Sequence, residues 1–524
     1  MRSKSNSDIC SERAAEYLNG SARAVRSAEP AHRAARPAHL VQPRLVPDQP
    51  RPNAPKPLRV MKFGGTSVES AACIEKVVAI VRAAAQESDV VVVVSAMGGV
   101  TNKFVEAAIE SAAGHRHAVA AIFDELRNRH ETAANALVHS RDSRERVARK
   151  MREIFAEAER LSAQILLRRE LTLPARDAIS GLGERLAAPL LAAALEEQGV
   201  PSEAVEATEL IITELFDGAP EPRMDLTRER CAARVRPLVL RGVVPVVTGF
   251  IASTTDGALT TLGRNSSDYS ATIMGAALDA DEVTLWTDVD GILSTDPRLV
   301  PDASAIPEMS YREATDLADL GAKVLHPKTL RALMPSGIPL LIRNTFAPDR
   351  PGTKITANGS ANGASAKAVT ASSDAALITV RTSTALGVRD VLRRMLAAVA
   401  AVRAEVRLLP HSASSENEVC IVVASAGVAS AMEALQHEFA HDLERGQVES
   451  IALEESAAIV TVVGRNMRNI SQIVERSFAA LGRENVNILG LSQPSSGCSI
   501  SFVVAQQHMK PALVTIHREL RLSE

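Results

Sequence analysis

Short apolar runs alternate with longer stretches of helical spacing from Leu58 to about Thr353. The runs Leu58–Phe63, Val90–Ser95, Val243–Phe250, Val283–Thr287 and Ile338–Asn344 read as strands. Cys73–Glu87, Arg144–Arg169, Glu184–Gln198 and Ser267–Leu278 have the composition and spacing of helices. Alternation of this kind predicts a parallel sheet covered by helices on both faces. Ligands of such sheets bind at the carboxyl ends of the strands, so the loops that follow strands are where chemistry is expected.

The last third follows another pattern. The segment Ala375–Val380 returns as Ala457–Val462, and Ser414-Ser415 with Val419–Ala424 returns as Ser495-Ser496 with Ile500–Ala505. The offsets are 82 and 81 residues, which predicts two copies of one strand–helix–strand–strand–helix unit. A paired module of this size suits ligand sensing or dimerisation. Residues 354–373, with Asn358, Gly359, Ser360, Asn362 and Gly363, read as a linker.

Composition narrows the classes. The chain has 524 residues and a formal net charge of −3, too near zero to imply nucleic-acid binding, and three Tyr with one Trp leave few platforms for base stacking. The longest unbroken apolar run, Met395–Val402, falls well short of the roughly 18 residues of a membrane span. Cys10, Cys73, Cys231, Cys420 and Cys498 are far apart and odd in number, which fits a reducing, cytoplasmic setting better than a disulfide framework or a cysteine zinc site. Residues 1–57 carry eight prolines, ten Lys and Arg and a single aromatic, Tyr17, and read as a disordered extension. A basic transit peptide has a similar composition, although five acidic residues and the Pro-rich second half count against it.

Two strand ends run into glycine pairs: Val60–Val68 contains Gly64-Gly65 after Lys62, and Ser95–Asn102 contains Gly98-Gly99 before Thr101. Without Cβ atoms in the way, successive backbone N–H groups at such turns can converge on an anion, although an ordinary turn has the same signature. Thr260–Tyr269 leads into a helix, where Ser266, Ser267 and Asp268 can act as caps or can leave N–H groups free for phosphate oxygens. Trp286–Ile292 and Thr295–Arg298 place Asp288, Asp290 and Asp296 beside Arg298, a set that suits Mg-nucleotide as well as a plain turn. Lys323 in Gly321–Lys328 offers a further phosphate partner, and His326 lacks companions at metal-ligand spacing. Gly181-Leu182-Gly183 is not a dinucleotide fingerprint, because its third glycine is absent. Glu184 and Arg185 instead open a helix, where a carboxylate could hold a substrate ammonium. Glycine turns, lysines, arginines and aspartates, without a Ser-His-Asp or Cys-His grouping, support phosphoryl transfer. An acceptor carboxylate is already ionised at neutral pH and needs no catalytic base.

Taken together, KFGGTSV (Lys62–Val68), SAMGGVTN (Ser95–Asn102), TTLGRNSSDYSA (Thr260–Ala271), WTDVDGI (Trp286–Ile292), TDPR (Thr295–Arg298) and GAKVLHPKT (Gly321–Thr329) resemble the aspartate kinases in order and spacing, over essentially all of residues 58–524. The doubled C-terminal unit resembles their ACT pair. The resemblance implies an α/β amino-acid-kinase three-layer sandwich with a largely parallel central sheet (58–357), followed by two α+β, ferredoxin-like ACT modules (372–445 and 446–524). It implies phosphorylation of the side-chain carboxylate of L-aspartate by ATP with Mg2+, the first step of lysine, threonine and methionine biosynthesis. By the same resemblance, Lys62, Gly64 and Gly65 hold the transferring phosphoryl group, and Asp268 is the acidic residue of the helix-start segment. Ser95, Thr101, Glu184 and Phe250 form the aspartate pocket, with Glu184 facing the ammonium. Thr287, Asp288, Arg298 and Lys323 form the nucleotide site, while Ser492 and Gln493 bind an amino-acid effector, threonine or lysine. A homodimer or homotetramer joined through the ACT modules is also implied, with neither nucleic acid nor membrane as partner.

Some positions depart from the pattern. Ile212 occupies the place where many lysine-sensitive members carry an Arg for the substrate α-carboxylate, and Leu293 replaces a tyrosine of the nucleotide loop. In these respects the chain resembles the kinase half of bifunctional aspartokinase–homoserine dehydrogenase. That dehydrogenase domain would begin where the sequence ends at Glu524, so no dehydrogenase activity is expected. Pro410-His411 stands in the first ACT copy where the effector-loop pattern is expected, so one effector site is expected to be altered.

Overall fold

The computed structural model describes residues 56–522 apart from 217–218, 264–265, 322–324, 361–365, 384–386, 411–416, 466, 468–470 and 495. The extension expected over residues 1–57 therefore lies almost wholly outside the described residues, as do Lys323 and His411.

In chain order the first part comprises β1 (Leu58–Phe63), α1 (Ala71–Glu87), β2 (Asp89–Val94), α2 (Val100–Ala113), α3 (Arg116–Leu137), α4 (Arg141–Arg168), α5 (Leu173–Ser180) and α6 (Leu182–Glu197). Then come β3 (Ser202–Val205), β4 (Ile212–Phe216), β5 (Ala219–Pro222), α7 (Met224–Arg234), α8 (Arg236–Leu240), β6 (Val244–Thr248), β7 (Ile251–Thr254) and β8 (Leu259–Thr261). It closes with α9 (Ser267–Leu278), β9 (Glu282–Thr287), β10 (Glu308–Ser310), α10 (Tyr311–Asp319), α11 (Pro327–Leu333), β11 (Leu340–Asn344) and β12 (Thr353–Thr356). Eight strands form one sheet in the order β10-β12-β11-β9-β1-β2-β6-β3, parallel except where β11 meets β12. A second sheet, β5-β4-β7-β8, stands beside it.

The valine run of β2 shows why its sheet must be covered twice. Val90, Val92 and Val94 enter the core under α1–α4 and α6, whereas Val91 and Val93 enter the opposite core with α9 and α11. Side chains on a strand alternate, so a continuous apolar run buries both faces. The chain leaves β1 for β2 on one side and later returns to β9 on the other. The carboxyl ends of β1, β2 and β9 thus border the crevice where α/β sheets bind ligands.

The remaining elements are β13 (Ala366–Thr382), α12 (Val388–Ala401), β14 (Val406–Leu408), β15 (Glu418–Val423), α13 (Val428–Glu438), α14 (Ala440–Glu444), β16 (Val448–Gly464), α15 (Ser471–Arg483), β17 (Ile488–Ser492), β18 (Ser499–Ala505) and α16 (Met509–Glu519). Each copy of the repeat supplies three strands to one antiparallel sheet, β14-β15-β13-β16-β18-β17, joined through the 17-residue strands β13 and β16.

The second copy is docked on the first part of the chain. Val300, in the loop after β9, belongs to the core of the second copy with Ile473, Leu481 and Phe502. Ser294 in the same loop lies 2.9 Å from the buried His517 Nε2 of α16. The hydroxyls of Ser496 and Ser499 donate to Asp316 of α10, 2.9 Å each. Lys367 of β13 reaches the fully buried Glu313 at 3.0 Å, the residue whose carboxylate also caps α10.

Candidate active site

The two glycine turns pack backbone to backbone. Gly98 N–H donates to Gly65 C=O at 3.0 Å, and a Cβ on Gly65 would lie 3.1 Å from the Ala96 carbonyl oxygen. Gly64 N–H donates to the Trp286 carbonyl at 3.2 Å, closing β1 onto β9. Gly99, with φ +81°, sits in the left-handed region and turns the chain into α2, whose first turn carries Thr101. The start of α6 presses against the same turn: a Cβ on Gly183 would stand 2.6 Å from Ala96 Cβ. That close approach brings Glu184 under the backbone of Ala96.

Glu184 is 3% exposed, and one of its carboxylate oxygens, Oε2, has no hydrogen-bond partner. Burial pushes its carboxyl up to about 8, against the opposing pull of the Ala96 N–H, its own N–H and the Lys62 charge. Lys62 Nζ lies 2.5 Å from Asp268 Oδ1, a pair that ties the end of β1 to the first turn of α9. Asp268 there also meets the favourable positive end of the helix dipole. Phe250 follows β6 with φ +68°, a costly backbone state for a bulky residue. It is held by its N–H to Ser270 Oγ at 2.9 Å and by its C=O to Leu262 N–H at 3.0 Å.

These groups face one cavity of about 1490 Å³, which gathers Lys62, Gly65, Ser95, Thr101, Glu184, Phe250 and Asp268. One wall offers a cation beside the glycine turns, and another offers an unsatisfied buried carboxylate for an amine. Such an arrangement can position an amino acid beside a transferring phosphoryl group.

A model of the amino acid kinase family matches residues 57–344, and an ACT domain model matches residues 460–520. Aspartokinase 1, chloroplastic, of Arabidopsis thaliana is 30% identical over 464 residues, 88% of this chain and 79% of that protein. The chain belongs to the aspartokinases of the amino acid kinase family. The bifunctional aspartokinase/homoserine dehydrogenase of Haemophilus influenzae is 32% identical over 478 residues, 88% of this chain and 56% of that protein. The chain thus spans about half the length of the bifunctional relatives it matches. Among solved structures, E. coli aspartokinase III with aspartate and ADP (R-state) superposes with a TM-score of 0.72 at 27% identity, covering 88% of this chain and all of that one. The same enzyme with lysine and aspartate (T-state) gives a TM-score of 0.67.

The remaining residues named from the sequence fall elsewhere. Gly64 sits in the first glycine turn beside Lys62 Nζ. Thr287 ends β9, next to β1, and Asp288 follows it, both outside the large cavity, with Thr287 Oγ1 donating to Asp288 at 3.1 Å. Arg298 is not brought to the cavity: its side chain is 73% exposed and bound to Asp296. Lys323 lies outside the described residues. Ser492 ends β17 opposite Ser501, and Gln493 is exposed beside it. Pro410 packs on Gly490 of β17, where a Cβ would meet it at 2.8 Å. Ile212 is buried in β4 and does not line the cavity.

Other lining groups were given no site role from the sequence. Asp177 and Ser180 share a helical face with Glu184, and Thr261 Oγ1 donates to Asp177 at 3.1 Å. Polar residues at helical spacing within an apolar helix were the available signal. His326 and Lys328 at the start of α11, and Glu405, Val406 and Arg407 of the first repeat, complete the wall. His326 Nδ1 accepts the Lys328 N–H as a helix cap, and no cluster of three metal-binding side chains occurs among the described residues. Leu173–Glu197 is the one described helical stretch long and apolar enough to cross a membrane, and 83% of its most apolar window is buried inside the fold.

Proposed function

We propose that the chain transfers the γ-phosphoryl group of ATP to the side-chain carboxylate of L-aspartate, giving 4-phospho-L-aspartate. Buried Glu184, which lines the cavity with Lys62 and both glycine turns and keeps one carboxylate oxygen without a partner, is the observation that carries this reading. Its carboxylate takes the substrate ammonium. Ser95, Thr101 and Phe250 shape the pocket around the amino acid. Lys62, with the backbone of Gly64 and Gly65, stabilises the charge spread over the transferring group. Thr287, Asp288, Arg298 and Lys323 receive the nucleotide. Asp268, a cavity carboxylate beside Lys62, fits a Mg2+ contact, since that ion takes one or two carboxylates and fills its shell with phosphate oxygens and water. Bound there with ATP, Mg2+ supplies charge neutralisation.

E. coli aspartokinase III, which superposes on this chain, was solved with aspartate and ADP, and its lysine-bound form supports an amino-acid effector for the ACT pair. Ser492 and Gln493 are the proposed effector contacts. A homodimer or homotetramer in the cytoplasm completes the reading.

Purified protein incubated with Mg-ATP, L-aspartate and hydroxylamine tests it. Aspartate-dependent hydroxamate is the expected result, and inhibition by lysine or threonine would name the effector. No hydroxamate with aspartate, under conditions where ATP binds, overturns the assignment.

A further inference from the structure

Met97, Gly98, Gly99 and Val100 form a β-turn closed by the Val100 N–H to Met97 C=O bond at 2.9 Å. Gly99 stands third in it with φ +81° and ψ −12°, the values of a type II turn. Types I and II share their end residues and differ by a flip of the central peptide, here the one between Gly98 and Gly99. Glycine at both central positions permits either state. A trans peptide sets its C=O and N–H on opposite sides, so the flip exchanges the Gly98 carbonyl for the Gly99 N–H on each side of the turn.

One side chain holds the flip in its present sense. Arg129 of α3 donates from Nη1 to the Gly98 carbonyl at 2.7 Å and from Nη2 to the Glu69 carbonyl at 2.9 Å. Its helix neighbours Leu126, His130 and Ala133 are buried, which fixes its place. Glu69 follows the first glycine turn, and the Gly98 N–H donates to the Gly65 carbonyl at 3.0 Å, so the guanidinium joins both turns from behind. Gly65, Gly98 and Gly99 line the cavity, and Arg129 does not. The N–H groups of Gly65 and Gly99 have no hydrogen-bond partner among the described residues.

On the reading of the site as an L-aspartate kinase, we infer that Arg129 is a positioning residue for phosphoryl transfer. It draws the Gly98 carbonyl away from the cavity, which turns the Gly99 N–H toward the transferring group and keeps a carbonyl oxygen from facing that group's negative charge. A guanidinium suits the task because its planar fork satisfies two carbonyls at once, whereas an ammonium is a point charge without that geometry.

Hydroxamate kinetics and unfolding of Arg129→Ala, Arg129→Lys, Gly99→Ala and the double variant Arg129→Ala/Gly99→Ala test the assignment. Gly99→Ala reaches the flipped state from the backbone. A methyl there has nothing within 4 Å, so its one cost is the positive φ, which alanine escapes by adopting the type I turn. Arg129→Ala and Gly99→Ala should each lower kcat by about 10- to 100-fold, as loss of one donor to developing charge does. The KM for aspartate should change by less than about threefold, since the contact belongs to the transferring group. Arg129→Lys should recover part of the loss, and the double variant should fall no further than the lower single, because both changes remove the same N–H. Wild-type kcat in Arg129→Ala, or losses that multiply in the double variant, overturns the assignment while active wild type keeps the kinase reading intact. Wild-type kcat in Gly99→Ala overturns it too, however the Arg129 variants fold. A wild-type protein that forms no hydroxamate from aspartate overturns both.

Discussion

Glutamine at position 184 keeps the shape of the side chain and removes its titration. In the native protein burial raises the Glu184 carboxyl to about 8 from its ordinary value of 4.5. Between those values the folded protein holds a proton that the unfolded chain has released. Stability linked to this group is therefore complete below pH 4.5 and is lost as pH rises through about 8. The loss runs at about 1.4 kcal/mol per pH unit and reaches, as an order of magnitude, up to roughly 5 kcal/mol. Urea unfolding of wild type and Glu184→Gln from about pH 5 to 9 isolates this slope, because every other group cancels in the difference. Wild type should lose several kcal/mol relative to the variant over this range and then run parallel to it. Parallel curves throughout would mean that the carboxyl ionises near its ordinary value, and the buried-charge argument would fail.

The same proton reports on the ligand. An ammonium docking on Oε2 requires the ionised carboxylate, so binding below pH 8 expels a proton. Apparent affinity for aspartate should then rise by up to about tenfold per pH unit and level off near 8. Calorimetry in buffers of different ionisation enthalpy should find close to one proton released per aspartate bound to wild type at neutral pH. Glu184→Gln should bind weakly and release none. Aspartate binding to wild type without proton release refutes the pairing.

Lys62→Ala removes the cation at the end of β1 and should lower turnover by about 10²- to 10³-fold, with the unfolding midpoint little changed. Near-normal turnover in the hydroxamate assay would remove Lys62 from the phosphoryl site. Gly183→Ala places a methyl 2.6 Å from Ala96 Cβ, so α6 or the second glycine turn must shift. It should cost about 1–3 kcal/mol in denaturant unfolding and raise the KM for aspartate, and wild-type values for both would show that this contact does not set the pocket. Asp316→Ala strips the hydroxyls of Ser496 and Ser499 of their common acceptor. It should cost about 1–3 kcal/mol, mostly recovered by Asp316→Asn, which keeps an accepting oxygen. No loss in thermal unfolding would mean the hydroxyls find other partners.

Much of the frame was legible because local chemistry and global packing agree there. The strand expected at Leu58–Phe63 and the helix expected at Ser267–Leu278 form with those bounds. In the helix, Ser266 and Asp268 mark the start, and an almost wholly apolar run must be buried all round. The sheet β5-β4-β7-β8 was not read, since its strands of three to five residues carry too few positions to establish a period. Glu184 was legible as a carboxylate opening a helix. Its burial was not, because that depends on Gly183 meeting Ala96 across the fold. The motif around Arg298 reads as a phosphate contact, and its ion pair with Asp296 two residues away was no part of that reading.

Least legible was the part played by the repeat, because none of it is local. The first copy brings Glu405, Val406 and Arg407 to the wall of the cavity, on an edge strand whose sequence carries no ligand signal. The second copy touches the kinase part elsewhere. His517 and the core around Val300 hold the loop after β9, and Ser496 and Ser499 hold Asp316. Asp316 lies two and three residues before Ala318 and Asp319, which line the cavity at the end of α10. The turn between β17 and β18 is therefore separated from the cavity by a single short helix. Coupling between two sites requires contacts that differ between two states, and this helix joins the Asp316 contacts to the cavity wall. A change at Ser492–Ser499 that strengthens or breaks the Asp316 contacts has a direct route to Asp319. A change in the first copy reaches the cavity through Arg407 without crossing α10. The two copies, alike in sequence, thus bear on the site by separate paths, so substitutions at Asp316 and at Arg407 should have separable effects.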